Sequence, residues 1–308
     1  MPNILAVTKK LMNSFKECIR FMHIKSFLVY FTFIATPALA QQPIKINTAS
    51  VTRHGPVQGS LLIIGGAVGN TPPIWNKFVE LAGGKDSARI VVVTAAVGDS
   101  AAYAQKEVDE IKTITGIKNV TLLHTNSLAE ANSDRFIEPI KKATGVYFLG
   151  GRQWRIADAY LNTLTHQAFS DVLKRGGVLS GSSAGATILG SFLWRGDTQG
   201  ADILVGNHLQ GLGFLKNSAI DQHLLKRNRQ FDLVDFIKVS PQLLGIGLVE
   251  ATAILVQNDT FQVIGNSYVA VYDYDTIVKK NIPFILLKNG ERYDLKNRTI
   301  INKHNGTR

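Results

Sequence analysis

The chain has 308 residues, of which 45% are hydrophobic and 19% are charged. This composition excludes a disordered or fibrous protein, and the length suits one large α/β domain better than two full-size domains. The net charge is +11, but residues 1–40 hold five Lys or Arg against one Glu, so without them it falls by four to +7. The remaining chain is moderately basic but lacks the dense Lys/Arg stripe of a nucleic-acid-binding protein, and we predict no nucleic-acid partner.

Residues 1–40 have the pattern of an export signal. Lys25 precedes the apolar run Phe27–Ile34, and the small-residue site Ala38–Ala40 follows. We predict cleavage after Ala40 and a periplasmic or extracellular location. The apolar run is well short of the ~20 residues that a bilayer-spanning helix requires, so no stable membrane anchor is expected after cleavage.

The predicted signal contains Cys18, the only cysteine of the chain. Without it the protein has no thiol, which excludes disulfides, cysteine-ligated zinc and a cysteine nucleophile. Forty residues are long for an export signal, whereas residues 22–40 alone have the ordinary length of one. Met1 and Met22 are therefore both candidate start residues. Residues 41–57 are polar and are interpreted as a flexible leader into a single domain over 58–308.

From residue 61 onward, short apolar runs alternate with helical stretches, as is typical of βαβ units around a buried parallel sheet. Ser100 is positioned to cap a helix with Ala104, Val108 and Ile111 on one face, and more helix is expected between 154 and 175. The sequence therefore predicts a doubly wound, mostly parallel α/β sheet. The predicted strands are 61–64, 90–94, 120–123, 146–149 and 177–180.

Two other features of this region have no predicted chemistry. The glycine-rich segment 65–70 matches neither the dinucleotide fingerprint nor the Walker pattern, so we interpret it as the first βα loop, lining the active-site edge. Trp75, Trp154 and Trp194 lie in helical stretches at unrelated spacings and are expected to pack. We predict no cofactor.

The strongest local motif is G-x-S-x-G at Gly181–Gly185, between an apolar strand and the helix-like stretch 186–193. Such an elbow holds its central residue, here Ser183, in a strained turn at the carboxyl edge of the sheet. The free N–H groups of the following helix favour the negative charge that develops during acyl transfer. Ser183 is therefore the candidate nucleophile, with a glycine-rich turn and a capping serine as the alternative.

A serine nucleophile needs a base, and the base needs a third group to orient it. Among the histidines, His223 differs because it lies in the polar cluster 220–229, directly after an apolar stretch. Glu250 emerges from an apolar run and is the candidate acid, with Asp221 as the competing acid. No histidine belongs to an H-E-x-x-H or comparable motif, so no metal site is predicted.

Beyond about residue 250 the pattern changes to short runs separated by turn residues. We predict antiparallel hairpins that close one edge of the sheet. The runs are 253–256, 261–264, 268–272 and 284–287.

At these motifs the sequence resembles the cyanophycinase family of serine peptidases and the related, smaller aspartyl dipeptidases. The resemblance covers most of the chain after residue 60. It implies a flavodoxin-like α/β sandwich similar to class I glutamine amidotransferases, with serine in place of their cysteine, and a homodimer. The matching segments are 61–67, 148–153, 181–186, 221–223, 245–250 and 261–265.

The resemblance assigns Ser183 as nucleophile, His223 as general base and Glu250 as orienting acid. It also implies an oxyanion hole formed by the backbone N–H groups of Gly151 and Ala184. Catalysis would then proceed through an acyl-enzyme without metal or cofactor.

Cyanophycinases release β-aspartyl-arginine dipeptides from polyaspartate that carries arginine branches. Arg227 and Arg229 suit a substrate carboxylate, because an arginine can bind a carboxylate with two parallel hydrogen bonds. The alternative for these two arginines is a solvated basic face of a helix. The sequence departs from the family at Asp232, where arginine is expected, and at Val249, where an acid is common. Asp232→Arg is thus expected to improve polymer cleavage more than dipeptide cleavage. The family's substrate-binding residues match Gln153, Asp221, Gln222, Arg227 and Arg229.

The predicted function is an exported, cyanophycinase-like serine exopeptidase that hydrolyses β-aspartyl amide bonds of cyanophycin type, such as β-Asp-Arg. One alternative is an α-aspartyl or isoaspartyl dipeptidase acting on short peptides. The other is a catalytically silent protein that binds acidic peptides, against which the presence of Ser183, His223 and Glu250 argues.

Overall fold

Five parallel strands form the centre of the fold, in agreement with the predicted βαβ pattern. The computed structural model describes residues 53–301, so the predicted signal at 1–40 and both candidate start residues lie outside the described part of the chain. Across the sheet the parallel strands follow the order β3-β2-β4-β5-β1. They are β1 (Ser60–Ile64), β2 (Arg89–Val93), β3 (Asn119–Leu123), β4 (Gly145–Phe148) and β5 (Val178–Ser182).

Helices connect these strands and cover both faces of the sheet. Alternate strand residues point to opposite faces, so Leu62 and Val92 share a core with the first two helices. Leu61 and Val91 lie in the core on the other face, with buried residues of the fourth to sixth helices. The helices are α1 (Pro72–Leu81), α2 (Ala101–Thr115), α3 (Leu128–Ala131), α4 (Asp134–Lys142), α5 (Gln153–Tyr160) and α6 (Leu164–Lys174).

Helix α2 has the predicted buried face, with Ala104, Val108 and Ile111 in the core. Its N-cap is Ser100, as predicted, but the serine side chain makes no capping hydrogen bond. The carboxyl end of the helix is closed by Gly116 in the left-handed conformation.

The remaining strands extend the parallel sheet and build a second sheet. The β9–β10 hairpin pairs antiparallel to β1, and β13 and β14 continue this edge to give nine strands. The second sheet has the order β12-β11-β8-β7-β6. These strands are β6 (Gly190–Phe192), β7 (Leu215–Gln222), β8 (Leu244–Leu248), β9 (Thr252–Gln257), β10 (Thr260–Gly265), β11 (Tyr268–Tyr272), β12 (Ile285–Lys288), β13 (Arg292–Asp294) and β14 (Thr299–Ile301).

The second sheet corrects two predictions. The stretch 186–193, predicted as helix, forms only the short helix α7 (Ala184–Thr187) before it becomes β6, because β6 pairs with β7 and tertiary pairing overrides local propensity. The runs at 268–272 and 284–287 do form an antiparallel pair, but β11 pairs with β8 in the second sheet instead of closing the first. An eighth helix, α8 (Asp232–Val239), contributes Leu233 and Ile237 to the core on the outer side of this sheet.

The end of the predicted leader is attached to the domain. The backbone N–H of His54 donates to the Asp259 carboxylate at 2.7 Å, and the His54 carbonyl accepts from Lys216. The Pro56 carbonyl accepts from Asn258 in the β9–β10 turn. Within residues 53–301 no helix combines the length and apolar character needed to cross a membrane.

Candidate active site

Ser183 lies immediately after β5, at the carboxyl edge of the parallel strands. Its backbone has φ 55° and ψ −117°, a conformation that non-glycine residues rarely adopt. The flanking glycines are required by space: a Cβ on Gly185 would lie 2.0 Å from the Phe148 carbonyl oxygen, and one on Gly181 would lie 2.3 Å from the Gly185 carbonyl oxygen. The sequence G-x-S-x-G therefore forms a strained elbow that exposes the serine hydroxyl.

His223 follows β7, and Glu250 follows β8 in the loop before β9. The imidazole ring packs directly on Gly66, where a Cβ would lie 2.4 Å from the ring Cε1. His223 and Ala251, the residue after Glu250, both have positive φ, at 57° and 51°. All three candidate catalytic segments are thus held in unusual backbone conformations.

Three successive carbonyl groups at the end of β1 hold these segments. The Ile64 carbonyl accepts a hydrogen bond from the Ser183 N–H at 3.2 Å. The Gly65 carbonyl accepts from the His223 N–H at 2.9 Å, and the Gly66 carbonyl accepts from the Ala251 N–H at 3.2 Å. The glycine-rich loop after β1 is therefore the common attachment point of the site.

The three side chains form one hydrogen-bonded chain. His223 Nε2 lies 3.0 Å from Ser183 Oγ, and His223 Nδ1 lies 2.8 Å from Glu250 Oε1. A carboxylate can only accept at neutral pH, so Glu250 stabilises the tautomer with the proton on Nδ1. Nε2 is then free to accept the proton of the serine hydroxyl.

The surroundings of His223 keep its imidazole neutral. Burial lowers the pKa of His223, and the positive charges of Arg227 and Arg229 lower it further, while the hydrogen bond and charge of Glu250 oppose this shift. A neutral imidazole is the form that can take up a proton. The arrangement is therefore competent for general-base chemistry near neutral pH.

Asp221, the competing acid, does not contact the imidazole of His223. It is fully buried, at 0% exposure, and accepts from the Trp194 indole N–H at 3.0 Å. It also binds the Arg195 guanidinium through Nε and Nη2, both at 3.0 Å. The structure therefore places Asp221 in a buried ion pair and Glu250 on His223.

Arg195 was not identified by sequence reasoning. It is 3% exposed, has φ 55°, and pairs with the Asp232 carboxylate as well as with Asp221. The sequence held one indication of Arg195, which was Asp232 at the position where the family has arginine. A carboxylate in place of an arginine indicates that a positively charged partner lies nearby. The expectation for Asp232→Arg is corrected accordingly, because the substitution would place two guanidinium groups together, and we expect it to destabilise the protein.

The other predicted substrate-binding residues differ in exposure. Gln153 is buried and donates both amide hydrogens to the backbone, to the Trp194 and Arg195 carbonyls at 2.9 and 2.8 Å. Arg229 is 3% exposed and donates to the buried Gln222 backbone carbonyl at 3.1 Å. Arg227 is exposed. The alternative of a solvated basic face thus applies to Arg227 and is excluded for Arg229.

A cavity of about 590 Å³ opens at Ser183 and His223. The predicted first βα loop lines it with residues 67–69, and Gly150 and Gly151 contribute a second part of the wall. Gly151 has φ 138°, and a Cβ there would lie 2.3 Å from the Ala96 carbonyl oxygen. A Cβ on Gly150 would lie 3.7 Å from Ser183 Oγ, so this glycine keeps a side chain away from the serine hydroxyl.

Neither the Gly151 nor the Ala184 N–H donates to another backbone group of a turn or loop in residues 53–301. Helix α7 begins at Ala184, where backbone N–H groups have no intrahelical acceptor. Both groups are therefore free to donate to a ligand. Among the same residues, no group of three His, Cys, Asp or Glu side chains is arranged to hold a metal ion.

Comparisons with known proteins identify the family. A family model for peptidase family S51 matches residues 61–264. A cyanophycinase of Synechococcus elongatus is 27% identical over 287 residues, which cover 87% of this chain and 88% of the relative. A cyanophycinase of Geminocystis herdmanii (strain PCC 6308) is 27% identical over 260 residues, which cover 78% of this chain and 95% of the relative.

The fold is also shared with a solved structure. The crystal structure of a peptidase from an acI-B1 Actinobacterium superposes with a TM-score of 0.61 at 23% identity, covering 78% of this chain and 98% of that chain. The family match spans the strand–elbow–helix segment, His223 and Glu250. The chain therefore belongs to peptidase family S51 and is a serine-type peptidase.

Proposed function

We propose that the protein hydrolyses aspartyl amide bonds of cyanophycin-type substrates, with Ser183 as nucleophile, His223 as general base and Glu250 as orienting acid. The observation that carries this proposal is the continuous hydrogen-bond chain from Ser183 Oγ through the imidazole to Glu250, at 3.0 and 2.8 Å. The relatives named cyanophycinase support the choice of substrate class.

In the first step, Ser183 Oγ attacks the substrate carbonyl carbon while its proton passes to His223 Nε2. The Gly151 and Ala184 N–H groups donate to the oxyanion that forms. The imidazolium, stabilised by Glu250, then gives its proton to the leaving amine, and an acyl-enzyme remains. Water, deprotonated by the same imidazole, attacks the acyl carbon and releases the acid product and Ser183.

The proposal also covers location and assembly. Export to the periplasm or the cell exterior is supported by the signal-like pattern of residues 1–40, and a homodimer by the family resemblance. Secretion of the product of each start codon, and ultracentrifugation of the purified protein, test these two points.

A serine-directed probe and a substrate panel test the central proposal. The probe should label Ser183, and the panel should contain cyanophycin, β-Asp-Arg, β-Asp-Lys, β-Asp-Leu and α-Asp-Leu. Amine release from cyanophycin or a β-aspartyl compound supports the proposal. Cleavage of short free peptides without the polymer supports a dipeptidase, and a folded protein that is neither labelled nor active is a binding protein.

Substitutions of Glu250 and Asp221 should have different effects, one on activity and the other on stability. Glu250→Gln should reduce kcat about 10²- to 10⁴-fold while the protein stays folded, because the amide supports the imidazolium less well. Asp221→Asn should instead lower the free energy of unfolding, because Asp221 neutralises buried Arg195. Steady-state kinetics and urea denaturation of both variants measure the difference. An active Glu250→Gln protein beside a folded, inactive Asp221→Asn protein would show that the acid was misassigned.

Activity should fall as the pH decreases through the pKa of His223, because the imidazolium cannot accept the serine proton. Arg227→Ala should move this acid limb to higher pH, since removal of a nearby positive charge raises the pKa of His223. Lys226→Ala is the matched control, because Lys226 is also exposed and does not shift this pKa. The measurement is the pH profile of kcat/KM, and an unmoved limb in Arg227→Ala contradicts the assignment.

A further inference from the structure

One wall of the cavity at Ser183 is formed by helix α2, which carries none of the family motifs noted in the sequence. Tyr103, Glu107, Glu110, Ile111 and Ile114 all line the cavity. Their spacing of three and four residues places them on one helical face. Two carboxylates therefore share a cavity with the nucleophile.

The negative charge of this wall has little compensation. Glu110 is exposed and lies 3.7 Å from Lys106, but the half-buried Glu107 forms no ion pair within residues 53–301. No Lys or Arg is among the described residues that line the cavity, and His223 is their one basic group. Arg227 and Arg229 lie outside this lining. The α2 wall of the cavity therefore favours a positively charged ligand group.

Aromatic rings lie beside the carboxylates. Tyr147 is 3% exposed, lines the cavity and packs against Trp75 with ring centroids 5.4 Å apart. Burial, followed by Glu107 and Glu110, raises the pKa of Tyr103. Burial also raises the pKa of Tyr147, with Ser182 opposing and Glu107 adding to the shift. Both hydroxyls thus stay protonated, and Tyr103, which is 48% exposed, is the ring with surface available for a cation.

The apolar part of the wall fits the rest of a long basic side chain. Ile111 and Ile114 border the same cavity as Glu107. The methylene groups of lysine and arginine pack on such surfaces while the charged end reaches a polar partner. A carboxylate gives a guanidinium a charge-assisted hydrogen bond, and the exposed ring of Tyr103 adds attraction.

We propose that Glu107, with Tyr103 and Tyr147, forms a subsite for the guanidinium or ammonium group of a basic side chain on the substrate residue beside the scissile bond. This inference rests on the proposed function of Ser183. Helix α2 then determines the preference for positively charged substrates. Glu107 is the charged contact, and the more exposed Glu110 adds to the negative potential at the cavity mouth.

The test compares two synthetic aspartate oligomers whose β-carboxyl groups carry either arginine or citrulline. Citrulline has nearly the shape of arginine but no charge. The wild-type protein should show a kcat/KM at least about tenfold higher for the arginine oligomer, the size of a charge-assisted hydrogen bond. Glu107→Gln should bring the ratio close to one through a loss on the arginine oligomer, and Glu107→Lys should reverse the preference.

Asp109→Asn is the matched control. It removes one negative charge from the same helix, but Asp109 does not line the cavity and contacts Lys112 at 3.8 Å and Gln105 at 3.0 Å. This variant should keep the wild-type ratio. If the arginine-to-citrulline ratio of kcat/KM falls equally in Asp109→Asn and Glu107→Gln, the preference arises from the overall charge of the helix. That result would overturn the subsite.

Binding to the Ser183→Ala protein separates the subsite from catalysis. Calorimetry should show at least about tenfold tighter binding of the arginine oligomer than of the citrulline oligomer, and the added Glu107→Gln change should abolish the difference. If the wild-type protein hydrolyses neither oligomer but this difference persists, the proposed function fails and the subsite stands. If both oligomers are hydrolysed and bound equally well, the subsite is wrong and the proposed function stands.

Discussion

Ser183→Ala and His223→Ala are each expected to reduce kcat roughly 10⁴- to 10⁶-fold, the scale observed for serine peptidase triads. The reason is geometric: His223 Nε2 lies 3.0 Å from Ser183 Oγ, so removal of either atom leaves no activated nucleophile. The double variant should be little worse than either single variant, because the two groups act as a unit. Single-turnover kinetics on cyanophycin, with circular dichroism as a check on folding, measure these losses.

His166→Ala provides the matched control for His223. His166 is a half-buried histidine on α6 whose Nε2 lies 2.9 Å from the Leu212 carbonyl, and it does not line the cavity at Ser183. Its removal should leave kcat within a few fold of wild type. Additive losses in the double variant would show that Ser183 and His223 do not work in one step.

Arg195→Met is expected to lower the free energy of unfolding by about 3–5 kcal/mol, the usual cost of leaving one member of a buried ion pair without its partner. Asp221 is fully buried, and Arg195 supplies two of its hydrogen bonds. Adding Asp221→Asn should recover part of this loss, because the buried charge is then removed together with its partner. Urea denaturation of the single and double variants measures this coupling.

Lys174→Met is the control for Arg195. The Lys174–Asp171 pair has a short contact of 2.7 Å, but both side chains are exposed, so its loss should cost less than about 1 kcal/mol. Equal destabilisation by Arg195→Met and Lys174→Met would mean that the burial of the Asp221 pair contributes nothing to stability.

β1, β2 and β4 could be predicted because burial on both faces gives each of them an almost continuous apolar run. β1 and β2 agree with their predicted bounds to within about one residue, within the usual uncertainty of strand ends. The second sheet could not be predicted in this way. β6 is three residues long, and β8 contains two glycines, so their extended conformation depends on pairing with β7.

The candidate site shows the same division between local and distant information. Ser183 could be predicted from neighbouring residues, because the elbow is a local structure with a local glycine requirement. His223 and Glu250 come from separate segments, so the residues alone left Asp221 as a competitor until the distances to the imidazole were known. Arg195 and Glu107 have no sequence signal of their own, since their roles depend on which charges the fold brings near them.

The attachment of the segments that carry Ser183, His223 and Glu250 to the carbonyl groups of residues 64–66 has a consequence for divergence within the family. Each segment has its own backbone hydrogen bond to the end of β1, in addition to the contacts that the three segments make with one another. The chain between the segments can therefore lengthen, shorten or acquire new elements without changing the distances among the reacting groups. By the same geometry, an insertion of one residue between Ile64 and Gly66 would displace the attachment of His223 or Glu250 while that of Ser183 on Ile64 stays in place. Variation in this lineage should therefore be concentrated in the crossovers and excluded from residues 64–66.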